Sequence, residues 1–86
     1  MPCISRFYGI SVYVYYSDHA PPHVHARYSG SRATLLIDSG KVIEGRFPRR
    51  ALRLVREWLA RHQALVRASW EQARSGRAPD PVPPLE

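Results

Sequence analysis

This chain has almost nothing with which to fix its fold covalently. It carries one cysteine, Cys3, among 86 residues, so neither an internal disulfide nor a CxxC zinc pair can form. Lysine is nearly missing: Lys41 stands alone, and the other twelve of the 13 basic residues are arginines. No apolar run approaches the roughly 20 residues that span a bilayer. The opening MPCISRFYG also lacks the apolar core of a secretory signal. These absences predict a reduced, cytoplasmic protein with no membrane segment. Acidic residues are scarce too, 7 against 13, which leaves a net charge of +6. A GC-rich genome explains arginine codons without function. Contact with phosphate or carboxylate, which the planar guanidinium binds bidentately, explains the same bias by chemistry. Both readings stay open.

What is present suggests one small domain with a modest core. Residues 5–16, SRFYGISVYVYY, alternate and are rich in aromatic and β-branched types, which predicts a strand with Gly9 as a bulge or bend. Val12, Val14 and Tyr16 share one face of it, Tyr13 and Tyr15 the other. SDHAPP is a turn, HVHARY a second strand, SGS a turn, RATLLID a third strand and DSGK a tight link into a fourth, KVIEGRF. From Pro48 to about residue 75 the period becomes helical, with Leu52, Val55, Leu59, Val66, Trp70 and Ala73 on one stripe. A helix of that extent is about 40 Å long. The expected fold is α+β in two layers: a four-stranded antiparallel meander with one long C-terminal helix packed on one face. The domain is predicted over residues 1–78. Residues 79–86, ending PDPVPPLE, read as an extended proline-rich tail, mobile or docked on a partner.

The stretch DHAPPHVHARY gathers three of the four histidines. His23 and His25, two apart on a strand, point to one face about 6.6 Å apart along it. Both can hold one divalent transition metal, zinc by preference. His19, on a loop stiffened by Pro21 and Pro22, supplies a third nitrogen, and Asp18 a carboxylate or an orienting contact. A second reading needs no metal. His23 and His25 act as an acid–base pair with Arg27 on phosphate, the equipment of a small ribonuclease. A third makes them structural or part of a partner interface. Val24 and Ala26 take the core side of the strand, which leaves His23 and His25 outside. His62 falls inside the helical apolar stripe and reads as a core residue, not as part of this site.

The helix start carries the other conspicuous group. Arg46, Arg49, Arg50, Arg53 and Arg56 crowd a terminus that is already positive. Arg49, Arg56, Arg67 and Arg74 fall along one polar edge of a straight helix. Such an edge is either a solvated face or, with Tyr13 and Tyr15, a surface for nucleic acid or an acidic partner. The single long helix that the pattern predicts speaks against a helix-turn-helix reader.

The run MPCISRFYGISVYVYYSDHAPPHVHARY, with EGRFPRRAL and RALRLVREW, resembles domain-of-unknown-function family 4160, small bacterial proteins, over nearly the whole chain. The matching motif positions are Asp18, His19, Pro21, Pro22, His23 and His25, and Arg50, Leu52, Arg53, Glu57 and Trp58. This chain is richer in strand tyrosine and helix arginine than the family pattern. The resemblance implies a toxin–antitoxin-like, two-gene setting with a small cognate protein as partner. The expected function is therefore binding: of that partner through the tail or a sheet edge, and of RNA or DNA through the arginine edge. The alternatives are a nuclease toxin and a non-catalytic metal-binding or assembly module. Pairing of an exposed sheet edge into a homo-oligomer is also open.

Overall fold

Residues 5–16 do not form one strand. Tyr8 (φ 50°) and Gly9 (φ 79°) both lie in the left-handed region, which is the signature of a two-residue hairpin turn whose twist matches that of the strands it joins. They separate β1 (Cys3–Phe7) from β2 (Ile10–Tyr13), with Phe7 opposite Ile10. The computed structural model describes residues 2–86 and continues as an antiparallel meander: β3 (His23–Tyr28), β4 (Ser31–Leu36) and β5 (Val42–Arg46). The sheet thus has five strands where four were expected, because Tyr8 is an unusual occupant of a left-handed turn position. The β3–β4 connection uses the same device at Ser29 (φ 45°) and Gly30 (φ 87°).

The expected single helix is two: α1 (Arg49–Arg61) and α2 (Gln63–Arg74). They meet at His62, whose φ of −121° and ψ of 30° leave the helical region. The reason is size. A straight helix over residues 49–74 would run about 39 Å, beyond the longest dimension of the molecule, 32 Å. Its end would overhang the sheet with nothing to bury. The break keeps Trp58 and Trp70 both fully buried. Gln63 clamps the junction by donating from Nε2 to the Ile37 carbonyl at 2.7 Å. His62 itself is half-buried, its ring 6.3 Å from that of Trp58. Gly76 (φ 83°) closes α2, with the Gly76 and Arg77 amides donating to the Ala73 and Gln72 carbonyls.

Both helices cover one face of the sheet. Ile10, Val12, Val24, Ala26, Ala33 and Leu35 from the strands, with Val14 just past β2, meet Val55, Trp58, Leu59, Val66 and Trp70 there. The proline-rich tail sends two side chains into this core. Val82 and Leu85 are buried, and the Val82 amide donates to the Ile4 carbonyl on β1 at 2.8 Å. Trp58 Nε1 donates to the Pro83 carbonyl at 2.8 Å, and Ser69 Oγ to that of Asp80 at 2.6 Å. No helix among the described residues covers the opposite face of the sheet. Among the described residues no helix is long and apolar enough to cross a membrane.

Candidate functional site

Register decides what the helix-free face presents, because residues directly opposite on neighbouring strands point the same way. One row runs Tyr13, His25, Thr34, Glu44 across β2 to β5. The next runs Ser11, Arg27, Arg32, Arg46. Tyr15, just past β2, stacks flat on His25, ring centres 3.8 Å apart. Arg27 lies over the Tyr13 ring at 5.1 Å. Between these side chains is a groove of about 370 Å³, lined by Tyr15, His25, Arg27, Arg32, Thr34 and Glu44. A larger concavity of about 500 Å³ lies beside Tyr8, Tyr28, Leu54 and Leu85, but among the described residues no cluster of histidine and carboxylate converges on it.

At one end of the groove the loop before β3 folds back over the sheet. The Ser17 amide donates to the Ala73 carbonyl of α2 at 3.1 Å, and Ile37 N–H to the Pro22 carbonyl at 3.1 Å. The Ala20–Pro21 peptide is cis. This loop sets Asp18 against both strand histidines. Asp18 Oδ2 is 2.8 Å from His23 Nε2 and 3.6 Å from His25 Nε2. One donor atom from each of the three residues lies within 4.8 Å of the others. His23 is buried, its ring 6.3 Å from Trp70, where the sequence pattern placed it outside. Val24 and Ala26 do take the core side. The loop, not the strand, covers His23.

The far nitrogens are anchored. His23 Nδ1 lies 2.6 Å from the Pro21 carbonyl, and His25 Nδ1 lies 3.3 Å from Thr34 Oγ1. Both contacts aim Nε2 at the shared point. His23 Nδ1 and Nε2 thus both face oxygen acceptors. A neutral imidazole has one N–H, so one contact sets lone pair against lone pair until a proton or a cation intervenes. His25 Nε2 is buried with no hydrogen-bond partner, since 3.6 Å is too long for one. Burial first, and His23 beside it second, hold the His25 ring below its ordinary value, against the pull of Asp18 and Glu44. It is therefore the neutral, lone-pair-bearing form at neutral pH. Burial alone would raise Asp18. The His19 amide and the two imidazoles outweigh it and keep the carboxyl below its ordinary value.

Of the four expected metal ligands, Asp18, His23 and His25 come together and His19 does not join them. Its ring is exposed, with Nδ1 3.3 Å from the Ala20 carbonyl, and it serves the cluster through its backbone amide, 2.9 Å from Asp18 Oδ1. Arg27 shares the face with His23 and His25. The expected arginine edge divides. Arg46 belongs to the sheet row, whereas Arg49, Arg50, Arg53 and Arg56 sit on α1, behind the sheet. The straight edge through Arg49, Arg56, Arg67 and Arg74 is broken at His62, and three of its members are engaged. Arg56 Nε donates to the Gly40 carbonyl at 2.9 Å, Arg67 pairs with Asp38, and Arg74 is 3.7 Å from Glu71. Arg32, Thr34 and Glu44 were not singled out by the sequence. The two-residue turn at Ser29 and Gly30 would have found the first two, since it pairs Arg27 with Arg32 and His25 with Thr34.

The geometry defines a small α+β protein with an Asp–His–His cluster on the uncovered face of a five-stranded meander. A domain of unknown function, DUF4160, matches residues 9–71, and the chain belongs to that family. The matched span holds the whole cluster and the arginine row, and leaves out β1 and the tail. No curated protein and no solved structure matches the chain.

Proposed function

We propose that the protein is a metal-binding module that holds one divalent transition metal, zinc by donor chemistry, between Asp18, His23 and His25. The carrying observation is the convergence of three donor atoms, with both outer imidazole nitrogens anchored on oxygen and His25 Nε2 buried without a partner. Zinc bonds of 2.0–2.2 Å require donors about 3.4 Å apart, so the widest gap, within 4.8 Å, must close by up to about 1.4 Å. The other two separations, 2.8 and 3.6 Å, already bracket that value. Nitrogen and carboxylate donors suit zinc and its transition-metal neighbours better than calcium or magnesium. Three protein ligands leave a coordination position open, which is the arrangement of catalytic rather than structural zinc. A metal bound there supplies Lewis-acid chemistry and a water of lowered pKa. The chain's own residues hold it and bound the groove beside it.

The test is elemental analysis and zinc titration of tag-free protein, beside Asp18→Asn and His25→Ala, with folding followed by tryptophan fluorescence. One zinc per chain, lost in both folded variants, is the expected outcome. Folded wild-type protein that takes up no zinc or cobalt at a several-fold excess would overturn the reading.

A further inference from the structure

We infer that the helix-free face of the sheet binds the phosphate backbone of single-stranded nucleic acid, along the row Arg27, Arg32 and Arg46. The three residues are direct cross-strand neighbours on β3, β4 and β5. Two inter-strand steps place them across about 10 Å. Like charges set directly opposite one another destabilise a sheet. Among the described residues Arg32 and Arg46 have no acidic partner within 4 Å, and all three arginines are exposed. Glu44 stands in the adjacent row on the same face, one carboxylate against three guanidiniums. In the free protein Arg32 and Arg46 therefore repel each other, and a polyanion would relieve that repulsion.

The choice of polyanion follows from what adjoins the row. Tyr15 and His25 line the same groove as Arg27 and Arg32, so aromatic rings border the cations. Cations that track a backbone, interleaved with rings on which bases stack, are the equipment of single-strand binders. An acidic peptide would use the arginines and leave the rings idle. The broad face of a five-stranded sheet also suits a flexible single strand better than a rigid duplex, since it offers neither a helix nor a two-stranded ribbon to a major groove. His25 is both a wall of this groove and a member of the Asp18 cluster, so a bound strand would pass the metal position proposed above. The binding itself does not depend on that metal.

The experiment is fluorescence anisotropy with labelled oligouridylate and oligothymidylate of about ten nucleotides, across a salt series, in chelator. Wild-type protein should bind both probes, and Arg32→Ala and Arg46→Ala should each weaken binding several-fold. Each variant should also reduce the slope of log K against log salt by about 0.7 for every phosphate it no longer neutralises. Arg53→Ala on α1 is the control and should match wild type. Because Arg32, Arg46 and Arg53 are exposed, these variants should keep their fold. Equal losses from Arg53→Ala, or none from Arg32→Ala and Arg46→Ala, would overturn the inference. So would polyglutamate binding as tightly as the oligonucleotides, which would reassign the face to an acidic protein. Since chelator is present throughout, failure here leaves the metal reading untouched, and failure of zinc binding leaves this one standing.

Discussion

Replacing Leu85 by alanine tests whether the proline-rich tail is part of the domain. Leu85 is 5 % exposed, and its neighbourhood includes the Pro83 carbonyl that accepts from the buried Trp58 indole. Truncating a buried leucine costs about 2–5 kcal/mol, and a site bordering an open concavity that can partly close belongs near the lower figure. An 86-residue domain has only about 4–13 kcal/mol of net stability, so a loss of about 2 is a large share. With a urea slope of about 1 kcal/mol per molar, the unfolding midpoint should fall by about 2 M. Tryptophan emission reports the local event. If the tail loosens, Trp58 exchanges the Pro83 carbonyl for water and the native-state spectrum moves to the red. Urea titrations of Leu85→Ala and wild type, read by fluorescence and by circular dichroism, measure both effects. A midpoint unchanged to within a few tenths molar, with an unchanged spectrum, would show the tail to be an appendage and refute the packing argument.

Other outcomes follow from the same geometry. Gly45→Ala should destabilise by about 2–4 kcal/mol, because φ is +80° and a Cβ there would sit 2.3 Å from the Arg32 carbonyl oxygen; a calorimetric midpoint equal to wild type would contradict this. Tyr8→Asn should raise stability by about 0.5–1 kcal/mol, since asparagine tolerates the left-handed turn position that the tyrosine occupies; thermal melts would show it. Thr34→Val removes the oxygen beside His25 Nδ1 and should lower zinc affinity by about tenfold while the fold persists. Competition with a chromogenic chelator measures that. In metal-free protein, acid should destabilise in two stages. His25 is held below its ordinary 6.5, so the unfolded chain takes up that proton first and stability declines as pH falls from there. Asp18 is held below 3.8, so its contribution persists until pH falls through that region. His25→Gln should abolish the first stage, and a pH-independent urea midpoint between about 7 and 5 in wild type would refute the assignment.

The fold was legible where side-chain period speaks and illegible where backbone conformation does. The antiparallel meander, the core role of Val24 and Ala26, and a helical layer all follow from alternation and from the stripe of Val55, Leu59 and Val66. The turn at Tyr8 and Gly9 does not, because a tyrosine at positive φ carries no compositional signal. The break at His62 was invisible too: the residues on both sides keep one apolar stripe, and only the finite size of the sheet makes the helix bend. In the site, Asp18, His23 and His25 were legible as a motif. That His19 serves through its backbone amide and not its ring depends on a loop path no spacing encodes. The arginine row was hidden for a different reason. Arg27, Arg32 and Arg46 are scattered in sequence and meet only once the register is known.

The tail lies along β1 at Ile4, whereas β5, at the far side of the sheet, has no neighbouring strand beyond it among the described residues. A sheet with one closed border and one open border can be extended in one direction only. Two copies joined through β5 would make a ten-stranded sheet with a tail at each end, and a third copy would find nothing to add to. The docked residues around Val82, which occupy the β1 border at Ile4, would thus limit any pairing through β5 to two copies.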